Sequence, residues 1–245
     1  MSGRPRLPKQ SPARVLVLLD QPLIAEVVAL TLNHGVYQTR NVQNAEAAQS
    51  LLKEWQPHVA VVDMDIGGSR VVEQTRRPSG PDIPVLALTG RGDLQTKLAA
   101  FEQGVDDIMT VPFSPEELLA RVLAITRRAY GGPLRFSPVI KMGEIEIDIL
   151  NRKIRAGTSD LHLTPLEQSL LYLLAANAGR VLTRDEIMDA LWGTDYVAES
   201  NTVDRHVRNL RAKLQNNWRK PRFIATEPGR GYRFVPVFTE EGAES

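Results

Sequence analysis

Arg205, Arg208 and Asn209 fall on one side of the segment from Asn201 to Gln215, and no other stretch of this 245-residue chain carries so pointed a chemistry. At about 100° per residue, Val203, Val207, Leu210 and Leu214 stack into an apolar stripe, while the three polar side chains cluster with Ala212 opposite. One side packs and the other is free to read. A guanidinium fork matches the acceptors on a guanine edge, a carboxamide matches adenine, and an α-helix fits the major groove of double-stranded DNA. From Asn201 to Arg233 there are nine basic residues against two acidic ones, a local net charge of +7 in a chain whose total is +1. Solvated helix faces ordinarily mix both signs, so this bias argues for a polyanionic partner.

Other chemistries find little support. There is no Cys, which removes disulfides and thiolate metal sites and fits a cytoplasmic location. The four His residues show no paired helical spacing, so no metal, cofactor or catalytic residue is expected. No apolar run approaches the roughly 20 residues of a membrane span, and the basic, Pro-rich start from Met1 to Ser11 precedes no leader-like apolar core.

The elements that would carry the basic helix come in two groups. Between Arg14 and Tyr130, apolar runs at Val15 to Leu19, Val36 to Arg40, Val59 to Val62, Ile83 to Leu88 and Ile108 to Val111 alternate with segments of helical spacing. Five such units predict a parallel sheet covered on both faces. Ser114, Pro115 and Glu117 form an N-terminal signature for the last helix. Past the breakers Gly131-Gly-Pro133 and Ser137-Pro138, Val139 to Leu163 reads as short strands. Thr164-Pro-Leu-Glu167 and Thr183-Arg-Asp-Glu186 then read as capping boxes opening two helices. After the basic helix, Phe223 to Thr226 and Tyr232 to Val237 flank a Gly229-Arg-Gly231 turn as a hairpin. Strands, three helices and a hairpin describe a winged helix. The expected organisation is a disordered tail at 1–13, an α/β domain at 14–130, a linker at 131–138, a winged helix-turn-helix domain at 139–238 and a tail at 239–245.

With these residues in hand, the chain resembles response regulators of the OmpR/PhoB type from about Arg14 to Pro236. The most specific motifs are Leu163-Thr-Pro-Leu-Glu167, Gly179-Arg-Val-Leu-Thr-Arg184, Leu191-Trp-Gly193, Thr202-Val-Asp-Arg-His206, Leu210-Arg-Ala-Lys-Leu214 and Gly231-Tyr-Arg-Phe234. The resemblance implies a flavodoxin-like five-stranded parallel receiver domain with its pocket at the carboxyl ends of the strands. Such a receiver takes a phosphoryl group on an aspartate, with carboxylates holding Mg²⁺ and a hydroxyl and a lysine stabilising the phosphoryl oxygens. Asp63 matches the phosphoacceptor, Thr89 the hydroxyl, and Asp20 one carboxylate of the residual pocket. Leu19 stands where the family has a further acid, Val111 where it has the lysine, and Ile108 where it has an aromatic switch residue. Gly67-Gly68 lie in a loop that departs from the family pattern, and Asp65 offers only a weak replacement metal oxygen. The expectation is an atypical receiver whose ordinary phosphorylation switch is broken. The alternative is a conventional two-component regulator phosphorylated on Asp63 by a histidine kinase.

The resemblance also implies self-association and DNA contacts. Lys97 with Glu117 and Asp107 with Arg121 match charge pairs that cross the family's dimer axis, although Glu117 could instead serve the cap at Ser114. Arg205, Asn209 and Arg211 match base-facing positions, with Arg208 at their edge. Thr202, His206, Tyr232 and the Trp192 indole match phosphate contacts, with core packing an open alternative for Trp192 and His206. Pro228 stands where the wing often has an arginine, leaving Arg230 to enter the minor groove. The expected partners are double-stranded DNA at direct repeats and a second copy of the chain, with the 193–200 segment matching a loop that touches RNA polymerase in family activators. A flavodoxin-like enzyme or ligand binder is disfavoured, since Leu19-Asp-Gln-Pro22 runs into a helix with no Gly-rich phosphate loop. A protein-interaction adaptor would require that the basic helix bind no DNA.

Overall fold

The structure is a computed structural model of the chain and describes residues 7, 12–33, 37–76, 82–90, 92–131, 139–148, 153–193, 201–217 and 219–235. Two compact units are present, Met1–Ser137 and Pro138–Ser245. The expected linker, apart from Gly131, and the C-terminal tail lie outside the described residues.

In the first unit the order is β1 (Ala13–Leu18), α1 (Pro22–Leu32), β2 (Tyr37–Val42), α2 (Ala45–Glu54), β3 (Val59–Asp63), a short 3-10 turn (Met64–Ile66), α3 (Gly68–Thr75), β4 (Val85–Thr89), α4 (Leu94–Glu102), β5 (Asp107–Thr110) and α5 (Pro115–Tyr130). The strands form one parallel sheet in the order β2-β1-β3-β4-β5. Every residue of β3 and β4 is buried, as expected of strands covered on both faces. Leu16, Leu18, Ala60, Val62, Val85 and Ala87 join Ala48 and Leu52 of α2 and Val71 and Val72 of α3 in one core. The alternate residues Val15, Val17, Val61, Leu86 and Leu88, equally buried, fill the opposite face, where α1 and α5 pack on each other. Parallel strands end on one rim, and that rim brings together Asp20, Asp63, Thr89 and Val111.

Two local readings change. Ala13, expected in the tail, is buried as the first residue of β1. The cap of α5 is half a capping box: Ser114 Oγ accepts from the Glu117 amide at 3.1 Å, but the Glu117 carboxylate turns to Arg121.

In the second unit β6 (Val139–Met142), β7 (Ile145–Asp148), β8 (Lys153–Ala156) and β9 (Ser159–Leu161) form an antiparallel meander. Three helices follow, α6 (Pro165–Ala176), α7 (Arg184–Trp192) and α8 (Thr202–Lys213), and then the hairpin of β11 (Ile224–Glu227) and β12 (Gly231–Phe234). Both predicted capping boxes are complete, at Thr164 with Glu167 and at Thr183 with Glu186. The sequence reading missed β10 (Val181–Thr183), which pairs antiparallel with β12 and ties the hairpin to the start of α7. A Cβ on Gly231 would collide with the Leu182 carbonyl, so this close strand approach requires glycine. Asn216 is a second feature missed. Its buried Oδ1 accepts from the amides of Arg222, Phe223 and Ile224, and its Nδ2 donates to the Ile224 carbonyl, so one side chain fastens the end of α8 to the start of β11.

Glu167 serves two structures at once. Buried at 4% exposure, it accepts from the Thr164 amide at 2.7 Å within its cap and from Lys213 Nζ of α8 at 2.6 Å. Burial alone would raise its pKa, but the Lys213 and Thr164 donors outweigh burial and hold it below the usual glutamate range. A depressed folded pKa stabilises fully above the unfolded value of about 4.3 and progressively less as pH falls through the folded one. The difference in melting temperature between wild type and Glu167→Gln is therefore expected to be constant near neutrality and to shrink below about pH 4. Thermal melts of both proteins across acid pH check this.

Candidate nucleic-acid interface and receiver pocket

Helix α8 is held by the stripe that its periodicity predicts. Val203, Val207, Leu210 and Leu214 are all buried, while Arg205, Arg208, Asn209 and Ala212 are exposed. The exposed face thus offers two guanidinium groups and one carboxamide at helical spacing. Asp204, in the first turn, does not dilute that face freely, because its Oδ1 accepts from Tyr232 Oη of β12 at 2.6 Å and from Arg184 Nε of α7 at 2.8 Å. Burial would raise the Asp204 pKa, but the Tyr232 and Arg184 donors pull it below the ordinary aspartate value. Burial first, and then the Asp204 carboxylate, push the Tyr232 phenol up against the opposing charges of Arg184 and Arg211.

The remaining residues expected at DNA divide by what already occupies them. Arg211 is tied back to the hairpin: its Nη2 donates to Thr226 Oγ1 at 2.7 Å and to the Ile224 carbonyl at 3.1 Å, and its guanidinium lies over the Tyr232 ring at 5.3 Å. Tyr232 is buried and has a single hydroxyl proton, which Asp204 takes. A phosphate oxygen accepts hydrogen bonds, so Tyr232 meets one only by releasing Asp204. Lys213 is likewise paired with Glu167. Thr202 is buried at the first turn of α8, where backbone N–H groups lack helical partners and suit an anion. His206 and Trp192 are half-buried with ring centroids 5.5 Å apart. Burial first, and then the Arg205 charge, lowers the His206 pKa, which favours the neutral ring. Arg230 is exposed in the turn between β11 and β12.

At the rim of the parallel sheet, Asp63 is 9% exposed at the end of β3, and its Oδ1 accepts from the Asp65 amide at 2.8 Å. Gly68 opens α3 so close to the Asp63 carbonyl that a Cβ would press on it. Burial raises the Asp63 pKa most, and the negative charges of Asp65 and Asp20 add to this against the Asp65 amide. Asp65 itself reaches across to β4, where its Oδ2 accepts from the Gly90 amide at 2.9 Å and from Thr89 Oγ1 at 3.4 Å. Val111, half-buried after β5, brings no charge to the pocket. These residues do not fit the Mg²⁺ site of the resemblance: Leu19 is buried in place of a carboxylate, Asp65 is turned to the β4 donors, and no group of three potential metal ligands occurs among the described residues.

Comparison with known proteins agrees with both halves. The model for the response regulator receiver domain matches residues 15–123, and that for the C-terminal domain of transcriptional regulatory proteins matches residues 157–234. The phosphate regulon transcriptional regulatory protein PhoB of Escherichia coli is 34% identical over 92% of this chain and 99% of its own length. This chain belongs to the OmpR/PhoB family of response regulators. The DNA-binding response regulator MtrA of Mycolicibacterium smegmatis is 32% identical over 91% of this chain and 97% of its own length. Among solved structures, the Thermotoga maritima OmpR/PhoB homolog DrrB is 28% identical over 91% and 99%, with a TM-score of 0.43. This family member is accordingly a DNA-binding transcriptional response regulator with a flavodoxin-like receiver and a winged helix. Among the described residues no helix is long and apolar enough to cross a membrane.

Three of the four charges expected at the family's dimer axis pair within the chain. Arg121 Nη1 spans both Asp107 oxygens at 2.9 and 3.1 Å, and its Nε and Nη2 donate to Glu117 at 2.9 and 2.7 Å. These acids hold the guanidinium pKa above its usual value, Asp107 most strongly. Lys97 is half-buried on α4. Beside it, Leu94, Leu98 and Phe101 are 72%, 53% and 46% exposed, an apolar stripe that faces away from the core. Their spacing was visible in the sequence, but spacing does not say whether a stripe faces in or out.

Asp63 is expected to titrate above the ordinary aspartate value of about 3.9. Asp65→Asn removes one like charge and keeps the amide donor, so it is expected to lower the Asp63 pKa. Carboxyl-detected NMR titration of both proteins checks this, and an unmoved Asp63 would leave the shift to burial and the Asp20 charge.

Proposed function

We propose that this protein binds direct-repeat sites in double-stranded DNA as a homodimer joined through its receiver, in the cytoplasm, and regulates transcription without ordinary aspartyl phosphorylation. The observation that carries the last point is the Asp65 carboxylate on the Gly90 amide and the Thr89 hydroxyl. A phosphoryl group on Asp63 would bring about two negative charges beside that carboxylate. Family members offset such charge with a lysine, and Val111 supplies none. Catalysis of phosphoryl transfer rests on electrostatic stabilisation, which here is reversed in sign. No catalytic residue or cofactor is assigned.

The reading face is Arg205, Arg208 and Asn209, with the first turn of α8 and Arg230 on the phosphates and the minor groove. Thr202, His206 and Trp192 line the phosphate side of α8, while Arg211 and Tyr232 act through their protein contacts. The receiver pairs through α4, β5 and α5, where Leu94, Leu98 and Phe101 supply buried apolar area and Lys97, Asp107, Glu117 and Arg121 supply register. Exposed charge pairs contribute little affinity but discriminate among partners. The 193–200 segment, of which residues 194–200 lie outside the described residues, is the proposed contact with RNA polymerase.

Arg205→Ala and Asn209→Ala are each expected to cost roughly 1–3 kcal/mol on the preferred site and to relax base choice there, with little change on unrelated duplexes. Fluorescence anisotropy on both duplexes measures this, and equal losses on the two would refute the assigned face. Sedimentation of wild type is expected to show the same dimer with and without acetyl phosphate and Mg²⁺, and Arg121→Glu to weaken it. A wild type that dimerises only with phosphodonor, beside an Asp63→Ala that never does, would establish the conventional kinase-driven switch instead.

A further inference from the structure

Asp204 is an acid inside the most basic stretch of the chain, on the helix that faces a polyanion. By charge alone it opposes DNA binding. Its position is explained by what it holds. One oxygen joins the first residue of α7, through Arg184, and the hairpin, through Tyr232, to the first turn of α8. The Arg184 guanidinium also lies over the Tyr232 ring at 5.2 Å, so the ring is clasped by two guanidinium groups, from Arg184 and Arg211. At the far end of α8, Arg211 fastens to β11 through Thr226. Helix and hairpin are thus tied at both ends of α8.

We propose that Asp204 is a positioning residue for sequence reading, which contacts no base or phosphate and fixes the angle between α8 and the β11–β12 hairpin. Reading in the major groove and contact by the hairpin must occur together on one duplex. An angle held in advance lets the correct site satisfy both without further ordering, whereas nonspecific binding needs only phosphates. The inference rests on the DNA-binding reading and goes beyond it, because it assigns specificity to residues that do not touch DNA.

The sign of the effect separates this role from a purely electrostatic one. The full chain, as wild type, Asp204→Ala, Tyr232→Phe and the double variant, would be titrated with a duplex selected by wild type from a random-sequence pool and with a scrambled duplex of equal length. Asp204→Ala is expected to weaken binding to the selected duplex roughly tenfold while leaving the scrambled duplex bound as tightly or more tightly. Tyr232→Phe removes one hydroxyl and keeps the clasped ring, so it tests the same link in a fold-preserving variant, and it is expected to lower the selected-to-scrambled ratio in the same direction. The double variant is expected to be no worse than the worse single one, because both break one link. Equal tightening on both duplexes would make Asp204 a mere counter-charge, and equal weakening would make it a general structural or contact residue. Either result overturns the proposal. A wild type that selects no duplex would instead remove the DNA-binding reading itself.

Discussion

Burial of Val203, Val207, Leu210 and Leu214 is the interaction on which the DNA-binding unit depends, because it holds α8 without using any side chain of its exposed polar face. A recognition helix must be rigid, yet its polar face must stay unpaired until DNA arrives. Four apolar side chains at helical spacing meet both demands, each contributing about 1.5–3 kcal/mol on full burial. The polar ties then act where the stripe cannot. An apolar contact tolerates sliding, whereas Asp204, Arg211 and Asn216 are directional and fix rotation against the hairpin.

The receiver presents the opposite arrangement. Its scaffold is intact, with every residue of β3 and β4 buried, while the rim at the strand ends carries Leu19 and Val111 at two positions where the family resemblance implies charged groups. Scaffold and chemistry depend on different residues, so one can persist without the other. What the rim retains is a bridge: Asp65, from the turn after β3, grips the end of β4.

Most of the architecture was legible because period and punctuation agree. All five apolar runs became strands of the parallel sheet, and Thr164 with Glu167 and Thr183 with Glu186 formed the capping boxes that their spacing announced. The apolar stripe of α8 and its exposed face were equally readable. What stayed hidden depends on contacts distant in sequence. The contacts of Arg211 with Thr226 and of Tyr232 with Asp204 join residues 15 and 28 apart in sequence, which no local period announces. The three residues of β10 are too few for a periodic signal. In α4, Leu94, Leu98 and Phe101 form a stripe whose direction only packing decides, and the core there takes Ala100 instead.

Asn216 carries a consequence for how this unit opens. Its side chain satisfies three successive amides at the entry to β11 and is anchored just beyond α8, so neither element can fray at that junction without stranding buried polar groups. Helix and hairpin therefore belong to one cooperative foldon, and their amides exchange with solvent through a shared opening rather than by separate local fluctuations. Loss of the hairpin is then expected to carry α8 with it.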